Sequence, residues 1–179
     1  MKIAVVMGGI SSEREISLKS GQAVLNALLE LGYDAYPMVL NKEDMMEKLT
    51  TWDYDLAYLV LHGEYGEDGR VQAVLDIIGK PYTGSGFTAS AVSMDKVITK
   101  KIVEAAGVRV AKSFNSVRET KKENYPIVIK PALEGSSVGL YICQTKKSAE
   151  EAVKALEGKK IVIEEFVKGE ELTVGVLDK

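Results

Sequence analysis

Several residue types are scarce in this chain of 179 residues, and each scarcity excludes some kinds of structure or function. There is one cysteine, Cys143, and one histidine, His62. A single thiol cannot form an internal disulfide, so the sequence does not indicate an oxidising compartment. Cys143 ends an apolar stretch typical of a strand, and free cysteines are among the most buried residues. We therefore predict a structural cysteine and not a nucleophile.

Long apolar runs and a basic surplus are also missing. No run approaches the roughly 20 residues of a membrane helix, and the five apolar residues before Gly8 are too few for a secretory signal. The net charge of −3 argues against nucleic acid as a partner. With 46% hydrophobic and 27% charged residues, the composition is that of a globular chain with a real core. We expect a cytoplasmic protein that binds neither membrane nor nucleic acid.

The first half alternates apolar strands with helices. The predicted strands are Ile3–Met7, Ala35–Leu40 and Leu56–Leu61, and the predicted helices run from Ser12 to Gly32, from Glu43 to Leu49 and from Val71 to Ile78. Ser12 and Glu15 have the spacing of a capping box at the first helix. This order predicts a parallel sheet with crossover helices. Ligands bind at the carboxyl ends of such strands, here at Gly8–Glu13 and His62–Glu64.

The pattern changes at the glycine-rich stretch Thr83–Gly86, where we place a boundary between domains 1–86 and 87–179. Helices are predicted at Met94–Ala106 and Ala149–Leu156, and strands at Ser113–Val117, Pro126–Lys130, Val138–Gln144, Ile161–Phe166 and Leu172–Leu177. This half is predicted to be α+β with an antiparallel sheet.

Lys130 ends an apolar strand and precedes a loop of small residues, 134–139 (Glu-Gly-Ser-Ser-Val-Gly). A buried ammonium requires an anion, and backbone amides of such a loop can surround phosphate oxygens. The alternative is that Lys130 extends into solvent at the strand end. The loop is not a P-loop, because the Gly-x-x-x-x-Gly-Lys-Ser/Thr pattern does not occur.

Two further segments have a functional and an ordinary interpretation. Glu164 and Glu165 end an apolar strand and Glu171 follows shortly, which supplies either acceptors for a nucleotide or a solvated acidic turn. Lys96 begins a helix after Asp95, whose charge suits the helix dipole. By itself Lys96 would be an exposed helix lysine.

Taken together, these motifs resemble one family. Met94-Asp-Lys-x-x-Thr-Lys100, Val128-Ile-Lys-Pro131, the loop 134–139 and Ile163-Glu-Glu-Phe166 are similar to the first half of an ATP-grasp nucleotide site. The segments Gly8–Leu18 and Leu61–Gly69 narrow the resemblance to the D-alanine–D-alanine ligase family. It covers residues 2–176 and implies a Rossmann-like N-terminal α/β domain followed by an α+β ATP-grasp subdomain.

The resemblance also implies roles for individual residues. Glu13 and Ser136 would be catalytic, and together with His62 they would bind the first D-alanine. Lys96 and Lys130 would approach the phosphates of ATP. Glu164, Glu165 and Val167 would bind adenine, and Glu171 the ribose. The implied reaction phosphorylates one D-alanine to an acyl phosphate, which the amine of a second D-alanine attacks to give the dipeptide for peptidoglycan, and a homodimer is implied as well.

The family pattern continues beyond these motifs with a C-terminal lobe that supplies the ligands of Mg²⁺ (or Mn²⁺) and the second-substrate site. We find no counterpart before Lys179, and therefore expect the 179 residues alone to be inactive and to bind ATP weakly. Three alternatives stay open: a related ATP-grasp ligase such as a D-alanine–D-lactate ligase, a non-catalytic nucleotide-binding module, and a flavodoxin-like binding domain over residues 1–85.

Overall fold

The computed structural model describes residues 1–135 and 137–176. Its first half contains, in chain order, β1 (Lys2–Gly8), α1 (Arg14–Glu30), β2 (Asp34–Leu40), α2 (Met45–Thr51), β3 (Leu56–Leu59) and α3 (Arg70–Ile78). Its second half contains α4 (Phe87–Met94), α5 (Lys96–Ala105), β4 (Ser113–Phe114), β5 (Ile127–Pro131), β6 (Tyr141–Cys143), α6 (Lys146–Ala155) and β7 (Ile161–Glu165). Short 3-10 turns lie at Val117–Glu119 and Lys122–Asn124.

The first sheet is parallel, with β1 between β2 and β3. Its middle strand is buried on both faces, which is why it consists of apolar residues without alternation. Ala4 and Val6 belong to a core with residues from α2 and α3, whereas Val5 and Met7 pack with Leu25 of α1 on the other face. The predicted α/β class of this half is confirmed.

The second sheet is antiparallel, in the order β4-β7-β5-β6. One face carries a core in which Ile127, Ile129 and Ile163 pack with Cys143 and with α6. Cys143 is 2% exposed, as expected of a structural cysteine. Because side chains alternate along a strand, Lys130 and Glu164 belong to the opposite face. The predicted α+β class of this half is also confirmed.

Several predicted boundaries were wrong. Helix α1 begins at Arg14, with Glu13 at its N-cap and no side-chain cap from Ser12. The strand predicted over Ser113–Val117 ends at Phe114, because Val117 begins a 3-10 turn. Strand β6 is shorter than predicted, because a turn precedes Leu140.

The strand predicted over Leu172–Leu177 is not present in residues 172–176, and Leu177 lies outside the described residues. Leu172, Val174 and Val176 are each more than 80% exposed. Alternating apolar residues form a strand only where a partner strand satisfies their backbone groups, and none of the described residues pairs with this segment. Within the described ranges, no helix is both long and apolar enough to cross a membrane.

Candidate functional site

The carboxyl ends of β1 and β3 position the first group of predicted site residues. Glu13 follows β1 and occupies the N-cap of α1, where the helix dipole favours a carboxylate. His62 and Gly63 follow β3, which is hydrogen-bonded to β1. The parallel topology therefore brings the two segments to the same edge of the sheet.

Ser11 joins these two segments. Its hydroxyl donates a 2.7 Å hydrogen bond to the carbonyl oxygen of His62 and accepts a 3.1 Å hydrogen bond from the amide of Glu13. The sequence does not single out Ser11, because Ser11 and Ser12 are adjacent and identical in type, and only Ser12 matches a known spacing. Ser11 thus fixes the backbone at Glu13 and His62, two of the three residues predicted to bind the substrate.

Arg14 fixes the same turn from the other side. Its guanidinium donates to the carbonyl oxygens of Gly9 at 2.6 Å and Leu40 at 2.7 Å, and to Asn41 Oδ1 at 2.8 Å. These contacts join the ends of β1 and β2. Both donor nitrogens of the guanidinium bind oxygens near the ends of β1 and β2. Arg14 therefore holds the turn that carries Glu13.

The two ring nitrogens of His62 have different surroundings. Nδ1 lies 3.9 Å from Glu67 Oε1, and Nε2 is buried without a hydrogen-bond partner among residues 1–135 and 137–176. The other oxygen of Glu67 accepts a 2.7 Å hydrogen bond from the amide of Gly63. A buried polar atom without a partner is costly, so Nε2 has hydrogen-bonding capacity that the described residues leave unused.

The Glu13 carboxylate is enclosed by two glycines from the two halves of the chain. A Cβ on Gly63 would lie 2.7 Å from Glu13 Oε2, and a Cβ on Gly135 would lie 3.7 Å from the same oxygen. Gly63 also has a φ of 68°, which disfavours any side chain. The loop 134–139 of the second half therefore reaches the carboxylate of the first half.

Some of these residues line a cleft of about 720 Å³ between the two halves. Ser11, Glu13 and Gly63 form one wall, while Asp95, Glu134 and Lys160 contribute to the other. Both walls carry charged groups beside apolar ones, as small-molecule sites commonly do.

Lys96 lies where β5 passes into the loop 134–139. Its ammonium donates to the carbonyl oxygens of Glu134 at 2.6 Å and Ala132 at 3.3 Å, and its amide donates to Ala132 at 3.1 Å. Burial, with a smaller contribution from the charge of Lys130, lowers the pKa of Lys96 below its usual range. In this structure Lys96 holds the base of the loop.

Asp95 caps α5 and is itself paired. Its Oδ1 accepts from the amides of Val97 at 3.0 Å and Ile98 at 3.3 Å, and its Oδ2 lies 2.5 Å from Lys160 Nζ. Burial raises the pKa of Asp95, but Lys160 and the two amides outweigh it, so that the net pKa is lowered. Lys160 was also missed, because the pair joins residues far apart in the sequence.

The second group of predicted residues lies on the open face of the antiparallel sheet. Glu164 of β7 pairs with Lys130 of β5 through Oε1, and with Lys100 of α5 through Oε2 at 2.5 Å. Burial raises the pKa of Glu164, but the two ammonium groups together lower it below the usual range. Glu164 is therefore held as a charged carboxylate between two cations.

In the sequence, Lys100 stands out only as the last residue of the motif that begins at Met94. A signal was available, because Lys100 follows Lys96 by four residues and so shares its helix face. Its partner could not be inferred, since the contact depends on where α5 lies relative to β7.

The remaining predicted residues are less closely grouped. Glu165 Oε1 accepts a 2.9 Å hydrogen bond from the amide of Lys112, so this carboxylate holds the backbone beside β4. Val167 is 66% exposed, and Glu171 is exposed in a segment without regular secondary structure. The structure does not bring Glu171 together with the lysines. Ser136 lies outside the described residues.

No group of three or more His, Cys, Asp or Glu side chains among residues 1–135 and 137–176 could hold a metal ion.

Two family models match the chain. The model described as D-ala D-ala ligase N-terminus matches residues 2–54 and 45–85, and the model described as D-ala D-ala ligase C-terminus matches residues 90–179. A D-alanine–D-alanine ligase of Fusobacterium nucleatum is 56% identical over 178 residues, which are 99% of this chain and 61% of that relative.

Solved structures agree with these matches. The D-alanine–D-alanine ligase of Bacillus anthracis has a TM-score of 0.83 at 37% identity, covering 94% of this chain and 58% of that one. The structure of that ligase complexed with ATP has a TM-score of 0.81 at 34% identity, with 94% and 60% covered. The VanG D-Ala:D-Ser ligase of Enterococcus faecalis has a TM-score of 0.77 at 29% identity, with 94% and 63% covered.

The chain thus spans about three fifths of the length of the proteins that it matches. Its N-terminal and second halves each match a model of the same family, and its fold agrees with solved members. The chain belongs to the D-alanine–D-alanine ligase family.

Proposed function

We propose that this protein is an ATP-dependent ligase that joins two molecules of D-alanine into D-alanyl-D-alanine. One observation carries the proposal: the segment from Lys130 to Gly135 begins at a lysine-rich cluster and ends beside the carboxylate of Glu13. One continuous piece of chain therefore leads from cations suited to a phosphate to a carboxylate of the other half that is suited to an amino acid's ammonium.

On the substrate side, Glu13 is proposed to bind the ammonium of the first D-alanine through charge-assisted hydrogen bonds. His62 is proposed to bind the same molecule through Nε2, the buried ring nitrogen. Ser136 is proposed to complete this site. These assignments place the carboxylate of D-alanine towards the loop 134–139, on the side of the lysines.

On the nucleotide side, Lys96 and Lys130 are proposed to approach the phosphates. Glu164, Glu165 and Val167 are proposed to surround adenine, and Glu171 to bind the ribose. Both ammonium groups have protein partners in this structure. A phosphate oxygen would therefore bind ammonium groups that already have protein acceptors, which reduces the net gain in binding free energy.

The proposed reaction has two steps. A carboxylate oxygen of the first D-alanine attacks the γ-phosphorus of ATP, the bond from phosphorus to the bridging oxygen breaks, and ADP leaves. The amine of the second D-alanine then attacks the acyl carbon, inorganic phosphate leaves, and the nitrogen loses a proton. Lysines stabilise the charge on the transferred group, and closure of the loop 134–139 would exclude water from the acyl phosphate.

Mg²⁺ is expected to accompany the nucleotide, as in phosphoryl transfer generally. The described residues do not fit it, because they offer no cluster of acidic side chains in one place. Among residues 1–135 and 137–176 no side chains are assigned to the acceptor site for the second D-alanine, and both sites are proposed to require the further two fifths of the length seen in relatives.

The first test is ATP binding to the 179-residue chain by calorimetry. We expect a dissociation constant of about 1 mM, equivalent to about 4 kcal/mol. Lys130→Met should weaken binding at least about tenfold, while Lys154→Met, which removes an exposed lysine of α6, should leave it unchanged. Equal affinity of both variants would contradict the assignment of Lys130.

The second test is catalytic. Residues 1–179 joined to the remaining part of the Fusobacterium nucleatum relative should release phosphate from ATP only when D-alanine is present. Glu13→Gln should raise the KM for D-alanine more than the KM for ATP. A folded chimera that binds ATP but shows no dependence on D-alanine would support a non-catalytic nucleotide-binding module instead.

A second candidate differs only in the acceptor. The VanG neighbour is a D-Ala:D-Ser ligase with the same fold over 94% of this chain, so the fold by itself does not select D-alanine as the second substrate. Mass spectrometry of the products formed from D-alanine mixed with D-serine or D-lactate separates the candidates.

Three further assignments belong to this proposal. We place the division between the domains at residues 86 and 87, immediately before α4. A homodimer is proposed, which sedimentation of the purified chain would test. A cytoplasmic location is proposed because the reaction consumes ATP.

A further inference from the structure

The ion cluster on the open sheet face contains one more cation than the proposed nucleotide site uses. Glu164 is the only carboxylate among the three groups, and its two oxygens are divided between Lys130 and Lys100. The cluster therefore carries one excess positive charge. Lys130 is the more exposed of the two lysines, with 26% of its side chain exposed against 17% for Lys100.

The two lysines reach Glu164 from different elements. Lys130 lies on β5, the strand hydrogen-bonded to β7, and its register partner is Val162, two residues before Glu164. Lys100 lies on α5, one helical turn after Lys96. Lys96 in turn is fixed to the carbonyl oxygens of Ala132 and Glu134. The helix that presents Lys100 is thus anchored to the chain that follows β5.

We propose that Lys100 is a positioning residue that remains with Glu164 and so allows Lys130 to leave for a phosphate group. This inference rests on the proposed nucleotide site and adds a residue to it. Lys100 does not touch the phosphate. It acts through the charge of Glu164, which would otherwise lose its only partner when Lys130 turns away.

The physical reason is the burial of the carboxylate, of which 9% is exposed. A buried carboxylate with no partner is strongly disfavoured. With Lys100 in place, the departure of Lys130 leaves Glu164 with one short ion pair. Without Lys100, a phosphate group must compete with Glu164 for the single remaining ammonium, and its affinity falls.

The experiment measures binding of ATP and of inorganic tripolyphosphate to the chain. Lys100→Met removes the charge and keeps most of the side-chain length, and Lys101→Met is the matched control, since Lys101 is the exposed neighbour on the same helix. Lys100→Met should weaken binding of both ligands about tenfold, and Lys101→Met should leave both unchanged. An effect on ATP alone would overturn the proposal, because Lys100 would then influence the binding of adenine through Glu164 and not the binding of phosphate.

A double-variant cycle tests the route of the effect. In Glu164→Gln, Lys130 is no longer held by a charge, so adding Lys100→Met should cause no further loss of tripolyphosphate affinity. A full tenfold loss in that background would overturn the proposal, since Lys100 would then contact the phosphate directly.

A third arm does not depend on phosphate binding. The pKa of the Glu164 carboxylate, followed by carbon-13 NMR, should rise in Lys100→Met and stay unchanged in Lys101→Met. If the wild-type chain binds neither ligand, the proposed nucleotide site is wrong. The proposal that Lys130 leaves Glu164 for a phosphate group is then wrong as well. If the wild type binds both ligands and the two lysine variants behave alike, the nucleotide site stands and the role of Lys100 is overturned.

Discussion

The hydroxyl of Ser11 donates its hydrogen bond to the carbonyl oxygen of His62, across the gap between the ends of two neighbouring parallel strands. The same oxygen of Ser11 accepts from the amide of Glu13. One hydroxyl group thus sets the spacing between the two segments proposed to bind D-alanine.

Ser11→Ala should therefore lower the free energy of unfolding by about 1–2 kcal/mol, because two hydrogen bonds to partly buried backbone groups are lost. Ser12→Ala is the control, since Ser12 is exposed and caps no helix; it should change stability by less than about 0.5 kcal/mol. Urea unfolding of the two variants gives the comparison, and equal stabilities would show that the bridge contributes nothing.

Gly63→Ala should displace the carboxylate of Glu13, because the new Cβ would lie 2.7 Å from its Oε2. Gly79→Ala is a matched control: both glycines have a φ of 68°, but a Cβ on Gly79 would meet nothing within 4 Å. Both variants should lose about 1 kcal/mol of stability through backbone strain, and Gly63→Ala should lose more, because its Cβ also crowds Ser11. Only Gly63→Ala should shift the NMR signals of Glu13 and Gly135, and unshifted signals would mean that the close approach is absent in solution.

Asp95 is expected to stabilise α5 in two separable ways. Asp95→Ala removes the helix cap and the ion pair and should cost about 1–2 kcal/mol. Asp95→Asn keeps an acceptor for the amides of Val97 and Ile98, so its loss should resemble that of Lys160→Met. Thermal unfolding of the three variants checks this order, which would be contradicted if Asp95→Asn were as unstable as Asp95→Ala.

The stability contributed by Glu164 should depend on pH in a defined direction. Its pKa in the folded state is lowered from the ordinary value of 4.5 by Lys100 and Lys130, against the effect of burial. The unfolded chain therefore binds the proton more tightly, and the stabilisation is present above pH 4.5 and is lost as the pH falls through the folded-state pKa.

Glu164→Gln should accordingly be less stable than the wild type near pH 7, by about 1–2 kcal/mol, and the difference should shrink below pH 4.5. Denaturant unfolding at a series of pH values measures it, with Glu150→Gln on the exposed face of α6 as the control. A difference that grew on acidification would mean that Glu164 is not held as a carboxylate.

Sequence patterns predicted the two sheets because each pattern has a simple physical cause. A strand covered on both faces, such as β1, must be apolar throughout, and this is visible in five consecutive residues. Helix α1 was predicted to start too early, because the spacing of Ser12 and Glu15 is correct for a capping box. The spacing could not reveal that Ser11 binds the backbone of His62 and that Glu13 takes the cap position.

The motifs identified Lys96, Lys130 and Glu164 as a group, but not their contacts. Lys130 meets Glu164 through the register of β5 with β7, which no local pattern specifies. Lys100 and Lys160 were missed for the same reason, since each pairs with a carboxylate more than 60 residues away in the sequence. Local patterns predict elements, whereas long-range ion pairs depend on how those elements pack.

Because the two sheets have different strand orders, their strands become available for pairing at different stages of synthesis. The three strands of the first sheet have all been synthesised once Leu59 has been added, because β1, β2 and β3 are consecutive in the chain. In the second sheet the last strand to be made, β7, lies between β4 and β5. A nascent chain that stops before Ile161 therefore holds β4 without a partner, while β5 is paired with β6 alone. During synthesis, the first half can therefore fold while the second half still lacks β7, one of the two inner strands of its sheet.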